Sequence, residues 1–200
     1  MTEHQYEPSR RPLLVIVSGA PATGKTTLSR LLADRLRLPL LSKDRLRRIF
    51  RDAFQADTLE DVRRLLAPGF AVYYNLISEL LRSGVGVVAE CNFHRGVSEP
   101  ELAPVARLGS PVIVHCQTSR EVSYRRFRER HQLALPERRY AFDGDRIAAL
   151  ERGIPQDAWE LAEPVDIGAP VLHVDTTNGY APDLDQIVRQ IHEQTTGTIP

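Results

Sequence analysis

Residues 19–27 read GAPATGKTT, and their types and spacing are those of a phosphate-binding loop. Glycines at the first and sixth positions let the backbone curl until successive N–H groups point into one concavity, which suits phosphate oxygens. A helix beginning after the loop adds the positive end of its dipole. We predict a nucleotide-binding site made of Gly19, Ala20, Pro21, Ala22, Thr23, Gly24, Lys25, Thr26 and Thr27.

Two side chains of this loop have chemistry of their own. Lys25 can reach the β and γ phosphates of a nucleotide, and the hydroxyl of Thr26 can bind Mg²⁺. The alternative is a glycine-rich connection with an exposed lysine. The loop stands between an apolar run and an amphipathic run, which is the context that the phosphate-binding motif requires. The motif does not distinguish ATP from GTP.

A carboxylate follows the second short apolar run, in the sequence SKDRLR at residues 42–47. At the carboxyl end of a strand, Asp44 could accept a hydroxyl proton, orient a nucleophile or touch Mg²⁺. Arg47, one helical turn further, could hold an anionic substrate or a phosphate. Asp44 could also serve as a helix N-cap, a position at which Asp is favoured, and the two interpretations are compatible.

A third apolar run leads into the sequence ECNFHR at residues 90–95. An apolar strand ending in an acid is typical of an element that organises Mg²⁺, so Glu90 could do this or bind a substrate hydroxyl. The alternative is a buried structural acid paired with an arginine. Asn92, His94 and Arg95 follow on the same loop and are candidates to line an acceptor pocket.

An arginine-rich helix is predicted from residue 120, and Arg126 and Arg130 are i,i+4 neighbours on it. Two guanidinium groups on one face could clamp a transferring phosphoryl group, since arginine is planar, bidentate and always charged. Arg138 and Arg139 follow in the next loop. The alternative is a solvated helix face with ion pairs to Glu121 and Glu129.

The elements that must position these residues alternate along the chain. Strands are predicted at residues 13–17, 40–41, 85–89, 112–116 and 171–174, and helices at 24–37, 44–54, 59–81 with an interruption near 68–69, 120–131, 145–151 and 184–193. Alternation of this kind indicates a doubly wound α/β sheet whose site lies at the carboxyl ends of the strands. We expect a flexible lead-in at 1–12 and one domain at 13–195, with a lid region at about 126–150.

Composition narrows the possible partners. The chain has 200 residues with 26 Lys and Arg against 26 Asp and Glu, so no global field favours nucleic acid or an anionic membrane. Its longest apolar runs are too short for a bilayer span of about 20 residues. The polar start has no secretion signal and the two cysteines form no metal-binding pattern, so a cytoplasmic location is expected.

Taken together, these residues resemble the small P-loop kinases over positions 13–193. The likeness is to the zeta toxins, chloramphenicol phosphotransferase and the polynucleotide 5′-hydroxyl kinases, with gluconate kinase more distant. The loop at 19–27 is the specific part. The spacing of Asp44 and Arg47 is similar to the base and substrate-contact pair of the polynucleotide kinases, and that of Arg126 and Arg130 to the lid arginines of gluconate kinase. The segment at 138–143 departs from the resemblance, because it lacks a histidine-rich lid element.

The resemblance implies a fold and a function. The fold is a three-layer P-loop NTPase domain with a five-stranded parallel sheet in the order 2-3-1-4-5 and a lid insert. The function is transfer of the γ-phosphoryl group of ATP, with Mg²⁺, to a hydroxyl of a small-molecule acceptor by a monomer or homodimer. The alternatives are a nucleic-acid 5′-hydroxyl kinase, and a P-loop ATPase or switch protein without a small acceptor.

Overall fold

The computed structural model of the protein describes residues 11–56, 58–134, 143–154, 156–160 and 162–196. Nearly all of the expected lead-in lies outside these residues. So does the middle of the expected lid region, including Arg138 and Arg139.

Five parallel strands form one sheet in the order β2-β3-β1-β4-β5, which confirms the predicted fold class and strand order. The strands are β1 (Leu13–Ser18), β2 (Leu40–Ser42), β3 (Val87–Glu90), β4 (Ser110–Gln117) and β5 (Val171–Asp175). The helices among the described residues are α1 (Lys25–Leu36), α2 (Lys43–Ala53), α3 (Leu59–Arg64), α4 (Leu66–Arg82), α5 (Glu99–Ala106), α6 (Arg120–Leu133), α7 (Asp143–Glu151), α8 (Asp157–Glu160) and α9 (Leu184–Thr196).

Both faces of the sheet are covered, because alternate residues of each central strand are apolar on opposite sides. In β1, Leu14 and Ile16 belong to one buried cluster with residues of α4 and α5. Val15 and Val17 belong to a second cluster, which includes residues of α1 and α9. The chain therefore folds into three layers, with helices on both sides of the sheet.

The helices differ from the sequence prediction at several points. The expected helix over 59–81 divides at Leu65 rather than at residues 68–69, which lie inside the first turn of α4. Asp44 is not an N-cap, because α2 begins one residue earlier and Ser42 takes that position. Helix α5 was not predicted. Its prolines, at 100 and 104, lower the helical signal of the segment, although a proline in the first turn costs no backbone hydrogen bond.

The register of the sheet brings three strand ends together. Glu90, the last residue of β3, stands opposite Val17 of β1 and opposite Ser42, the last residue of β2. The segments that follow β1, β2 and β3 therefore all begin at the same edge of the sheet. Open α/β sheets bind ligands at this edge. Among the described residues, no helix combines the length and the apolar character needed to cross a membrane.

A substitution in the central strand, β1, tests whether the core is built in layers. Replacing Leu14, which has no exposed surface, by alanine leaves a cavity between the sheet and α4. We expect Leu14→Ala to lower the free energy of unfolding by about 2–5 kcal/mol in a denaturant titration. Leu133→Ala is the matched control, because Leu133 is 85% exposed, and should change it by less than about 0.5 kcal/mol. Equal effects would contradict the layered core.

Candidate functional site

A pocket with a volume of about 720 Å³ opens at the carboxyl edge of the sheet. The phosphate-binding loop, the start of α2 and the loop after β3 form its walls, and residues of α6, α7 and α8 complete them. Its size is that of a small-molecule site. Of the loop residues predicted to bind nucleotide, the pocket is lined by Pro21, Ala22, Gly24, Lys25, Thr26 and Thr27, whereas Gly19, Ala20 and Thr23 do not line it.

Side chains from other elements fix the direction of the loop peptides. Ser123 Oγ donates to the carbonyl oxygen of Pro21 at 2.6 Å, and Thr176 Oγ1 donates to that of Thr23 at 2.7 Å. Because a trans peptide places its N–H opposite its carbonyl, the N–H of each following residue points away from these hydroxyls. Both following residues, Ala22 and Gly24, line the pocket, so their N–H groups are available to a ligand there.

Glycine is required at the start of the loop. Gly19 has φ +134°, and a Cβ there would lie 2.2 Å from the carbonyl oxygen of Cys116 at the neighbouring strand end. Gly24 has φ +83° at the N-cap of α1, a left-handed conformation that glycine adopts at low cost. Glycine is thus needed at these two positions for different physical reasons, the close approach of the Cys116 backbone at Gly19 and the left-handed backbone conformation at Gly24.

Lys25 lies beneath the loop with 5% of its surface exposed. Its Nζ donates to the carbonyl oxygen of Ala20 at 2.6 Å. Burial lowers the pKa of Lys25, and the nearby charge of Glu90 opposes that effect. The ammonium group is therefore held at the pocket wall by the Ala20 carbonyl, with the charge of Glu90 nearby.

Glu90 joins the loop to the second strand. Its side chain is 3% exposed, Ser42 Oγ donates to its Oε2 at 2.5 Å, and Thr26 Oγ1 donates to its Oε1 at 3.3 Å. An ionised carboxylate is costly to bury without hydrogen bonds, and these two hydroxyls supply them. The sequence left open that Glu90 pairs with an arginine, but its hydrogen-bond donors here are the hydroxyls of Ser42 and Thr26. The contact with Thr26 places Glu90 beside the predicted metal ligand.

Asp44 lies on the first turn of α2, facing the same pocket. Lys43 Nζ is 3.3 Å and Arg47 Nη2 is 3.6 Å from its Oδ1. Burial tends to raise the pKa of Asp44, but the charges of Lys43, Arg47 and Lys25 outweigh it, so the pKa lies below its ordinary value. The carboxylate is thus ionised at neutral pH and can accept a hydrogen bond from a hydroxyl.

The structure brings two of the three candidates after β3 to the pocket. Asn92 and His94 line it. Arg95 does not, because its guanidinium turns to Glu163 at 3.3 Å and Asp166 at 4.0 Å, and it is exposed.

Arg126 and Arg130 both line the pocket but point to different parts of it. Arg126 Nη2 donates to the carbonyl oxygens of Thr176 and Thr177 at 2.9 and 2.8 Å, which ties α6 to the loop after β5. Arg130 is exposed, and its guanidinium lies 5.3 Å from the centre of the Phe127 ring. The i,i+4 pair therefore does not form one clamp in this conformation.

A small aromatic cluster supports the outer side of the phosphate-binding loop. The Trp159 ring meets Tyr124 and Phe127 edge-on, with centroid distances of 5.0 and 5.2 Å. Its Nε1 donates to Ser123 Oγ at 2.7 Å, and that oxygen donates onward to Pro21. The chain of two hydrogen bonds connects α8 to the loop through α6.

Residues that the sequence analysis did not select also line the pocket, among them Ser42, Lys43, Phe70, Asp143 and Arg146. Ser42 and Lys43 directly precede Asp44 in the sequence, and this proximity could have identified them as pocket residues. Lys43 lies over the Phe70 ring, 5.1 Å from its centre. Phe70, Asp143 and Arg146 come from helices whose packing no local pattern reveals.

The pocket is strongly positive. Of its described lining residues nine are Lys or Arg and three are Asp or Glu, although the whole chain has 26 of each class. The basic residues are Lys25, Arg30, Lys43, Arg45, Arg47, Arg48, Arg126, Arg130 and Arg146, and the acidic residues are Asp44, Glu90 and Asp143. This balance favours an anionic ligand.

Comparison with known proteins places the chain in a family. A family model described as an AAA domain matches residues 14–142, which is more than half of the chain. The protein belongs to this AAA-domain family. None of the curated proteins matches it.

Solved structures show where this AAA-domain chain stands among known folds. A presumed kinase from Chloroflexus aurantiacus J-10-fl is 29% identical, with a TM-score of 0.70 over 95% of this chain and 99% of that one. A sugar kinase from Janibacter sp. HTCC2649 is 16% identical, with a TM-score of 0.56 over 94% and 96% of the two chains. A gluconokinase from Sinorhizobium meliloti 1021 is 18% identical, with a TM-score of 0.50 over 94% and 93%. The predicted resemblance to small P-loop kinases is thus confirmed at the level of the fold.

The oxygen groups beside the loop of this AAA-domain chain fit a magnesium ion. The buried Glu90 carboxylate and the Thr26 hydroxyl adjoin each other, and both are ligand types that Mg²⁺ prefers. No group of three or more His, Cys, Asp or Glu side chains that could hold a metal occurs in the described part of the chain. Mg²⁺ bound here would accordingly take its other ligands from phosphate and water.

The close approach at Gly19 predicts a severe effect of a single methyl group. Gly19→Ala forces its Cβ away from the Cys116 carbonyl and displaces the loop, so we expect ATP binding to weaken at least about tenfold and stability to fall by about 1–3 kcal/mol. Calorimetric titration and thermal unfolding measure the two effects. Gly153→Ala is the control, since Gly153 has φ +70° with open space around it. Normal ATP binding by Gly19→Ala would refute this role.

The two hydrogen bonds of Ser123 predict that α8 and the phosphate-binding loop are coupled. Ser123→Ala leaves the Pro21 carbonyl and the Trp159 N–H without this partner, so we expect a loss of stability of about 1–3 kcal/mol and weaker ATP binding. Trp159 is the only tryptophan, so its emission reports the change directly. Ser83→Ala, at the exposed end of α4, should leave binding and emission unchanged. Unchanged emission in Ser123→Ala would contradict the coupling.

Proposed function

We propose that the protein is an ATP-dependent kinase that transfers the γ-phosphoryl group to a hydroxyl of a small-molecule acceptor. The observation that supports this most is the meeting of two sets of residues in one pocket. Lys25 and the loop N–H groups form its phosphate end, and Asp44 and Arg47 lie on the neighbouring helix start. The kinases among the solved structures of similar fold support the same reaction class.

The donor end would be held by the phosphate-binding loop. The N–H groups of the loop and the start of α1 bind phosphate oxygens, and the Lys25 ammonium binds the β and γ phosphates. Thr26 would bind Mg²⁺ directly, with Glu90 positioned to hold its water ligands. Mg²⁺, when bound, supplies positive charge that offsets the charge on the phosphate oxygens.

At the acceptor end, Asp44 orients the hydroxyl. Its ionised carboxylate accepts the hydroxyl hydrogen bond, so that an oxygen lone pair faces the γ-phosphorus. The acceptor oxygen forms a bond to phosphorus while the bond from phosphorus to the bridging oxygen of the β-phosphate breaks. The proton passes to Asp44 and then to water, and the products are ADP and a phosphate monoester. Asn92 and His94 line the same end and would contact the acceptor.

Positive charge from α6 would stabilise the transferring group. Arg130 is exposed at the pocket and can move, whereas Arg126 is held by two backbone carbonyls. We therefore assign the contact with the transferring phosphoryl group to Arg130, and to Arg126 the positioning of the loop after β5. In other phosphoryl-transfer enzymes, a guanidinium that contacts the negative charge of the transferring phosphoryl group raises kcat by a large factor.

A transfer screen tests the proposal. The protein is incubated with γ-labelled ATP or GTP and a panel of sugars, nucleosides, aminoglycosides, chloramphenicol and 5′-hydroxyl oligonucleotides. We expect label in at least one small acceptor. Label only in oligonucleotides would replace the small acceptor by nucleic acid, and turnover that no acceptor stimulates would favour an ATPase.

Removing the charge of Asp44 should separate chemistry from nucleotide binding. We expect Asp44→Asn to lower kcat by about 10²–10⁴-fold while the Kd for ATP stays nearly constant. Asp52→Asn is the matched control, because Asp52 is exposed on the same helix, pairs with Arg51 and does not line the pocket. Full activity of Asp44→Asn would exclude Asp44 as the group that orients the hydroxyl.

The depressed pKa of Asp44 predicts a pH dependence with a definite sign. The carboxylate form acts, so activity is lost only as pH falls through a pKa that lies below its ordinary value of 3.8. Lys43→Gln removes one of the charges that depress this pKa, and the acid limb of kcat should then move to higher pH. Arg51→Gln, which removes a charge paired with Asp52, should leave the limb in place. An acid limb unmoved by Lys43→Gln would contradict the assignment.

A further inference from the structure

A row of three polar side chains crosses three strands of the sheet. Ser18 ends β1, His115 lies beside it in β4, and His173 lies beside His115 in β5. Ile16 and Ile113, two residues earlier in β1 and β4, belong to the buried cluster that includes α4 and α5. Because alternate residues of a strand share a face, the row lies on this face of the sheet. Its three members do not line the pocket.

The three side chains differ in exposure. Ser18 has no exposed surface, 6% of His115 is exposed, and His173 is exposed. The row therefore leads from the buried centre of the sheet to solvent at β5. A buried imidazole needs partners for its ring nitrogens. Ser18 Oγ, 3.0 Å from Nδ1 of His115, is the partner of one of them.

The contact with Ser18 sets the orientation of the His115 ring. β1 and β5 flank β4 on opposite sides. Because Nδ1 faces Ser18 in β1, the opposite edge of the ring, which carries Nε2, is turned toward β5. His173 is the residue of β5 at this position, and the centres of the two rings are 5.8 Å apart.

The inner histidine is neutral at physiological pH. Burial lowers the pKa of His115 to about 4, and the charges of His173 and Lys25 act in the same direction. A neutral imidazole has a lone pair on one nitrogen, and this form binds metal ions. When Nδ1 donates its proton to Ser18 Oγ, the lone pair is on Nε2.

The two rings have nearly the spacing of two ligands on one ion. With metal–nitrogen bonds of about 2.0–2.1 Å, two imidazoles on a tetrahedral ion have their ring centres about 5 Å apart. The observed separation of 5.8 Å is slightly longer. Because His173 is exposed, rotation about its side-chain bonds can close the difference and direct a ring nitrogen toward the ion.

We propose that His115 and His173 form a binding site for a transition-metal ion such as Zn²⁺, apart from the pocket. Imidazole nitrogen suits Zn²⁺, Ni²⁺ and Cu²⁺, whereas Mg²⁺ prefers oxygen ligands. Water completes the coordination on the exposed side of His173. Ser18 orients the inner ring, as hydrogen-bond partners of metal-bound histidines do in general. The inference is independent of the proposed kinase activity.

A zinc titration tests the site. ZnCl₂ is titrated calorimetrically into the protein in excess Mg²⁺, which competes for sites made of oxygen ligands. We expect the wild-type protein to bind Zn²⁺ and His173→Gln, which removes the exposed ligand, to weaken that binding at least about tenfold. Ser18→Ala keeps both ligands but removes the orienting partner, and it should weaken binding about tenfold.

His192→Gln is the matched control for His173→Gln. His192 is exposed on α9, which packs against the opposite face of the sheet, and its replacement also removes one imidazole. We expect His192→Gln to bind Zn²⁺ like the wild-type protein. Zn²⁺ should also raise the Tm of these two proteins more than that of His173→Gln, because an ion that binds the folded chain stabilises it.

Two results would overturn the proposal in solution. One is absence of Zn²⁺ binding by the wild-type protein, and the other is equal binding by the wild-type protein and His173→Gln. Diffraction at the zinc absorption edge from crystals soaked in ZnCl₂ then locates the ion. We expect an anomalous peak between Nε2 of His115 and a ring nitrogen of His173. Peaks only at other groups, such as Cys91 or His94 in the pocket, would also overturn it.

Discussion

The buried carboxylate of Glu90 is the point on which the geometry of the pocket depends. It stands at the edge where β1, β2 and β3 end, and it accepts hydrogen bonds from Ser42 and from Thr26. A charge so deeply buried requires these partners, since an unpaired carboxylate would cost several kcal/mol. The requirement couples the start of α1 to the start of α2. As a result, the residues at the phosphate end and Asp44 keep a fixed relation to each other.

The phosphate-binding loop depends on the scaffold in a second way. Hydroxyl groups of Ser123 and Thr176 hold two of its carbonyl oxygens, and Cys116 leaves no room for a side chain at Gly19. The loop is therefore shaped by residues far from it in sequence. In the proposed reaction, this preorganisation would avoid the cost of orienting the loop N–H groups as charge develops on the phosphate. The link through Ser123 also joins the loop to Trp159, so the outer helices and the donor end share one support.

The sequence was sufficient to predict the fold and the central part of the site, because both depend on local patterns. Apolar runs separated by helical periodicity predicted a doubly wound sheet, and the resemblance to the small P-loop kinases implied its strand order. The spacing of Gly19, Gly24 and Lys25 predicted the loop. The prediction was weaker where a role depends on packing. Arg95 and Arg130 have the same chemistry, yet an ion pair with Glu163 turns the first away from the pocket. The contribution of Asp143 and Arg146 depends on how α7 packs against α6, which no short motif records. The break at Leu65 likewise reflects two helices with separate packing partners.

A crystal structure with adenylyl imidodiphosphate and Mg²⁺ is the most direct test of the central claim, that one pocket presents the γ-phosphate to a hydroxyl held by Asp44. The account predicts that the β and γ phosphates contact Lys25 and the loop N–H groups, that the ion lies between Thr26 and Glu90, and that the γ-phosphate faces Asp44 across space for an acceptor. Triphosphate bound elsewhere, or a γ-phosphate that points away from Asp44, would contradict it.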